Sequence, residues 1–311
     1  MTNDVVLTAL KPIIAADIRH SSPIRSLKAW NGDWLASGDI DGRLVVTHGE
    51  SVVVDRCFEV AGHLGARSDS VNKITLSAEM DRLFFIKGTT IYALDLASGE
   101  IAWTYSTRRV FAFLRSVPQD FVLLADGVLA VSSSSGHMYW LSQDGEKLDE
   151  VFDHDAPSSM VLVNGGNEIV GCDGFSTHIW CTKTRRRLRS HVYSERCYGI
   201  MPLGSGRGYA MRTEKGIELF SEQHDALGVV HVLPGPPKIA YDSQDGILVT
   251  LAELSLSLWN RNGDVIGTVH LDGTRPTSLS YDESNRELLV GAADGSIYKE
   301  SLTQLVAIAK G

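Results

Sequence analysis

Short apolar runs recur along the chain, separated by Gly, Asp, Asn and Ser. Runs rich in Val, Ile, Leu, Tyr and Trp with such borders read as β-strands. No long segment carries a convincing helical period, although residues 3–16 are ambiguous. One run returns in seven versions: RLVVT (43–47), TIYAL (90–94), HMYWL (137–141), STHIW (176–180), GIELF (216–220), SLSLW (255–259) and SIYKE (296–300). Their second positions fall at 44, 91, 138, 177, 217, 256 and 297, a mean spacing of about 42 residues. That is the period of a propeller blade of four strands.

The rest of the repeat keeps phase. A second apolar strand precedes each run, as in WLAS (34–37), LFFI (83–86) and VLAV (128–131), and a third precedes that, as in PIRSL and VNKITL. After most of the runs comes a turn with Ser-Gly, Asp-Gly or Asn-Gly, pairs suited to positive φ, and then an outer strand such as EIAWTY. The pattern predicts an all-β fold, a seven-bladed β-propeller with four antiparallel strands per blade and a single domain over 1–311. The blades fall at about 20–58, 63–106, 107–153, 154–192, 193–231, 232–270 and 271–311. Closing such a ring buries faces that one blade cannot bury alone. Both DVVLTAL (4–10) and LTQLVAIA (302–309) offer an outermost strand for the last blade.

Composition narrows the function classes. Hydrophobic residues make up 43% and charged residues 22% of the chain, ordinary values for a soluble domain. The net charge of −9 argues against general binding to nucleic acid or anionic membrane. No apolar stretch is long enough for a membrane helix, and the N-terminus lacks the pattern of a secretory signal. Cys57, Cys172, Cys181 and Cys197 show no CxxC spacing, so free buried thiols and a cytoplasmic location are expected.

Over residues 20–301 the chain resembles the WD-repeat β-propellers, best in ASGDIDGRLVV and VGAADGSIYKE. The Trp-Asp of that family is eroded here to Leu94-Asp95, Trp180-Cys181, Phe220-Ser221 and Trp259-Asn260. The stretch IYALDLASGEIAWTY is also similar to a quinoprotein repeat, but it occurs once. The WD-repeat resemblance implies that the N-terminal strand closes the ring against the last blade. It also implies buried pairs between a His at the joint before a blade and an acid in the later tight turn. The matching residues are His20 with Asp41, His191 with Glu214, His231 with Glu253, and His270 with Asp294. A buried imidazole N–H needs an acceptor, and a carboxylate is a strong one. His63 and His154 also occupy joints, but Gly88 and Gly174 stand at the acid position, while blade 3 has only Ser135 there. Blades 2, 3 and 4 are therefore the weak ones.

Catalytic chemistry has little footing. There is no GxSxG, P-loop or dinucleotide fingerprint, and SGSGRGY and VNGGNE read as hairpin turns. No cofactor and no metal site is expected. The cluster Asp153, His154 and Asp155 falls at a blade joint, and GDIDG fails as a calcium loop because His48 stands where the bidentate Glu belongs. The main expectation is a non-enzymatic scaffold that holds other proteins as part of a complex. The alternative is a propeller enzyme or small-ligand binder using a central channel.

The most asymmetric feature is basic. TKTRRRLRS (182–190) carries Lys183, Arg185, Arg186, Arg187 and Arg189 without an acid. The window 182–215 has a net charge of +7, leaving −16 on the remainder. The run falls on the outer strand of blade 4, where charge protects an edge against pairing and where Arg can also grip an acidic protein segment or a phosphate. Phosphate or nucleic-acid contact through residues 183–189 is thus a second alternative. Arg108, Arg109 and Arg115, with Phe111 and Phe113 between them, mark a further interaction loop. Within GDIDG, Asp41 is expected to be structural. Asp39, whose blade-7 equivalent is Ala292, is expected to be the residue that meets a partner.

Overall fold

The computed structural model describes residues 4–7, 19–58, 70–107, 116–152, 157–204, 206–230, 238–271 and 275–310. The chain is a seven-bladed β-propeller. A short strand β1 (Asp4–Leu7) leads. Blade 1 is β2 (Ile24–Trp30), β3 (Trp34–Asp39), β4 (Arg43–His48) and β5 (Ser51–Cys57). Blade 2 is β6 (Val71–Leu76), β7 (Arg82–Lys87), β8 (Thr90–Asp95) and β9 (Ile101–Ser106); blade 3 is β10 (Pro118–Leu123), β11 (Leu129–Ser133), β12 (His137–Leu141) and β13 (Lys147–Phe152). Blade 4 is β14 (Ser159–Val163), β15 (Glu168–Cys172), β16 (Ser176–Cys181) and β17 (Arg186–Val192); blade 5 is β18 (Cys197–Pro202), β19 (Tyr209–Thr213), β20 (Ile217–Phe220) and β21 (Ala226–Val230). Blade 6 is β22 (Lys238–Asp242), β23 (Ile247–Ala252), β24 (Ser255–Trp259) and β25 (Val265–Leu271), and blade 7 is β26 (Pro276–Asp282), β27 (Glu287–Ala292) and β28 (Ile297–Ser301). Within every blade the strands pair with their neighbours in chain order. The chain divides into two compact units, 1–74 with 237–311, and 75–236.

The strand pattern explains the burial. Second strands are the heart of each blade: β3, β7, β11, β15, β23 and β27 are almost wholly buried, with a neighbouring strand on either side and packing on both faces. Neighbouring blades share cores. Val122, Met138 and Trp140 of blade 3 pack with Met160, Ile169 and Trp180 of blade 4. Val161, Val170 and Ile179 of blade 4 pack with Ile200, Tyr209 and Met211 of blade 5. Buried carboxylates add directional links. Asp120 accepts the Met160 N–H at 2.7 Å, and Asp242 accepts from the Tyr281 hydroxyl at 2.8 Å and from Arg286 at 2.9 Å. Each is charge-assisted; the Asp120 bond is buried and the two Asp242 bonds are partly buried.

A regular irregularity runs through the blades. In all six that have a described fourth strand, the ladder between strands three and four carries a bulge, after Val46, Ala93, Trp140, Ile179, Leu219 and Leu258. A bulge adds twist to an outer strand without disturbing the buried second strand.

The last blade departs from expectation. β1 does not complete it; it pairs in parallel with β25, from Asp4 opposite Thr268 to Leu7 opposite Leu271, so blade 6 has five strands. Nor does 302–309 supply a strand. Residues Leu302–Lys310 form a helix, α1, and blade 7 has three described strands. The physical reason is spacing: Leu302, Leu305, Val306 and Ala309 recur at the helical interval and lay one face on Val269, Leu256 and Leu258. Gly267 on β25 makes room, since a Cβ there would lie 2.6 Å from that of Ala309.

Candidate functional site

Two constellations concentrate polar chemistry: a buried histidine network in blade 1 and the basic outer strand of blade 4. In blade 1, His20 lies before the first strand and reaches the end of the second. Its Nδ1 is 2.9 Å from Asp39 Oδ2, and its Nε2 is 2.8 Å from Ser37 Oγ. Asp39 Oδ1 accepts the backbone N–H groups of Asp41 at 3.0 Å and Arg43 at 2.9 Å, closing the turn between β3 and β4. Because Asp39 only accepts, the proton between it and His20 sits on Nδ1; on a neutral ring, Nε2 then accepts from Ser37. Burial by itself would raise the Asp39 pKa. The bonds from His20, Arg43 and Asp41, with the His20 charge, more than reverse this and hold the carboxyl below its ordinary range.

The order Ser–His–Asp has the connectivity of a nucleophilic triad. Here, however, His20 and Ser37 are 1% exposed and Asp39 is 0% exposed, so a substrate has no access to the hydroxyl. The network clamps the joint to the blade. The expected pairing of His20 with Asp41 is therefore corrected: the partner is Asp39, and exposed Asp41 instead accepts from Ser22. The expectation that Asp39 meets a partner protein is corrected with it, because its oxygens are consumed inside. The sequence did hold a signal. In blades 3, 5 and 7 the ladder position of Asp39 is occupied by Ser133, Thr213 and Ala292, all buried and none charged. A carboxylate where those blades carry a small, uncharged side chain needs a buried partner.

The other proposed pairs are not brought together. His191 is exposed, its ring edge-on to Tyr193 at 4.4 Å between centroids, while exposed Glu214 accepts from the Tyr198 hydroxyl at 3.4 Å. Asp294 binds Arg19 and the Ser296 N–H, and His270 stands opposite Ser255 on β25. Glu253 is an exposed turn residue with φ of 50°, and its proposed partner His231 lies outside the described residues. Asp41, Glu214, Glu253 and Asp294 sit in turns open to water, so a histidine gains little by reaching for them. Three histidines off the joints do find carboxylates: His137 lies 2.9 Å from Glu150, His178 3.4 Å from Asp173, and His224 2.9 Å from Glu168. Blade 3 replaces the acid by hydroxyls: Ser135 donates to Ser116 at 2.7 Å and lies 3.1 Å from Ser133. The separation from Ser116 to Ser135 equals that from Ser22 to Asp41.

The cysteines are all free, but only Cys172 and Cys197 are buried. Cys57 is exposed and Cys181 half-buried, because both sit at strand ends. The Cys172 and Cys197 thiols hydrogen-bond to each other between blades 4 and 5. This bond and burial push the Cys172 thiol up, and the same bond draws Cys197 down.

On the basic run, β17 has every residue exposed, from Arg186 to Val192. Its side chains are not equivalent. Arg185 adopts φ of 58° at the entering turn and places its guanidinium 5.9 Å from the Trp140 ring centre, a cation–π contact. Arg186 lies 3.5 Å from Asp149, and Arg187 points its Nη1 at His178 Nδ1, 3.4 Å away. Lys183 and Arg189 are exposed. Arg108, Arg109, Arg115 and the intervening Phe111 and Phe113 lie outside the described residues, as do His63, Asp153, His154 and Asp155.

Among the described residues, no helix is long and apolar enough to cross a membrane. No protein-family model matches the chain, and no curated protein matches it.

Proposed function

We propose that this protein is a degenerate WD-repeat propeller that acts as a non-enzymatic scaffold in the cytoplasm, holding other proteins in a complex. The observation that carries the reading is the division of its polar chemistry. The residues with catalytic connectivity, Ser37, His20 and Asp39, are sealed and mutually satisfied, while the densest run of like charge lies on and beside an exposed strand. Buried, fully bonded groups stabilise a fold, and exposed arginines beside apolar side chains are the composition of a contact surface. Free cysteines accord with a reducing compartment. Fold alone does not fix function, so the support comes from these positions.

The test is native purification at physiological salt followed by sizing and identification of stoichiometric companions. Elution well above 33.9 kDa with constant partners is the expected result. A lone monomer that turns over a small molecule would overturn the reading.

A further inference from the structure

The outer edge of a blade in this fold can take another strand. Blade 6 shows it: β1, more than 250 residues away in the chain, adds in parallel to β25. β17 has the same length as β25, seven residues, and no described strand pairs with its outer edge. The Tyr193 N–H bonds to the Phe175 carbonyl at 2.7 Å, which sets the phase of the ladder. Residues alternate in the direction of their backbone groups, so Ser190 and Val192 turn N–H and C=O outward. Register places Arg187, Ser190 and Val192 on the face of His178 and Trp180, and Arg189 and His191 on the face of Ile179 and Thr177. The bulge at Leu188 brings arginine to both faces of one edge.

We propose that the β17 edge of blade 4 binds an acidic, extended segment of a partner protein by strand addition. The inference rests on the scaffold reading and names its contact. Three features favour a polypeptide over a nucleic acid. The free edge offers donors and acceptors in alternation, which a peptide backbone matches, whereas a phosphate only accepts. Leu188 and Val192, 55% and 74% exposed, stand among the arginines and suit apolar side chains of a peptide. The chain outside 182–215 carries −16, which repels a long polyanion but leaves a short acidic segment free to meet Lys183, Arg186 and Arg189 locally. Backbone pairing supplies affinity, and alternating acidic side chains supply direction and register.

The probe is a short fluorescent peptide alternating Glu with Val and Thr, titrated against the full chain by anisotropy. Controls are its Lys-for-Glu version, a version with alternate backbone nitrogens methylated, and a single-stranded oligonucleotide. Saturable binding of the Glu peptide alone is expected, weakened at least about tenfold by backbone methylation, the loss of one or two hydrogen bonds. Ser190→Pro, which deletes an outward N–H at a position where an edge strand accepts proline, should weaken it similarly. The exposed-site variant Lys183→Glu with Arg189→Glu should weaken it at least about tenfold, with loss of its salt dependence. Glu-peptide binding indifferent to methylation and to Ser190→Pro would overturn strand addition. Binding of the oligonucleotide in preference to the peptide, or of neither probe, would overturn the proposal. Native complexes that persist undiminished with both variants would leave the scaffold reading standing and remove this edge as its contact.

Discussion

The outer strands β25 and β17 are the same length and hold the same place in their blades, yet they face opposite circumstances. β25 is flanked by β1 along its edge and covered by α1 on one face, so its alternate residues Gly267, Val269 and Leu271 are buried. β17 has neither cover among the described residues, and all seven of its residues are exposed. The equivalent ladder positions make the contrast concrete. Gly267 opposes Leu258, Gly228 opposes Leu219, and Arg189 opposes Ile179, each just before the bulge. Where the helix packs, on β25, the position is glycine; where nothing described packs, it is an arginine on β17 and a glycine on β21. The fourth strand of a blade is thus the adaptable element of the fold, because the second and third strands already secure the core.

The largest expected effect comes from removing the cover on blade 6. Leu305→Ala, a fully buried change, should lower unfolding free energy by about 2–5 kcal/mol in denaturant titration. Leu188→Ala on β17 should stay within about 0.5 kcal/mol. A comparable loss at both sites would show that something covers β17 as well.

Gly267→Ala should cost about 1–3 kcal/mol, because the added Cβ runs into Ala309, whereas Gly228→Ala meets nothing and should be near neutral. Equal effects would undo the assignment of Gly267 to helix packing. The engaged and the open site also differ in blade 1. Asp39→Asn should cost about 1–3 kcal/mol by leaving a buried donor unpaired, and Asp41→Asn, in the exposed turn, distinctly less.

The smallest effect is a pH slope. The folded Asp39 carboxyl titrates below its ordinary range, so the folded state binds this proton less well than the unfolded chain does. Its contribution is complete above the unfolded carboxylate value, near 4, and is lost as pH falls through the lower folded value. Stability of the native protein should decline more steeply with acid over that window than that of Asp39→Asn, while the slopes agree at neutral pH. Parallel curves would mean that the carboxylate is not held by His20.

Much of the architecture was legible in the sequence because it repeats. Seven apolar runs in phase, with turn-forming pairs between them, leave few folds that bury both faces of each strand set. Single events were not legible. Residues 302–309 are short and apolar enough to read as a strand, and only packing against β25 and β28 selects the helix. The bulges after Val46 and its counterparts leave no residue signature, since they arise from the twist that each blade must adopt.

The histidine partner shows where the division falls. Sequence placed His20 at a joint and two aspartates, Asp39 and Asp41, at the far end of the next hairpin. Two residues apart near a strand end, the two carboxylates are alike in reach and chemistry. The folded turn separated them: Asp39 ends β3 inside the blade and binds the N–H groups of the turn, and Asp41 lies in the turn facing water. The strands and their period follow from local patterning, which the chain carries along its length. The choice of partner follows from burial, which exists only once distant segments have packed.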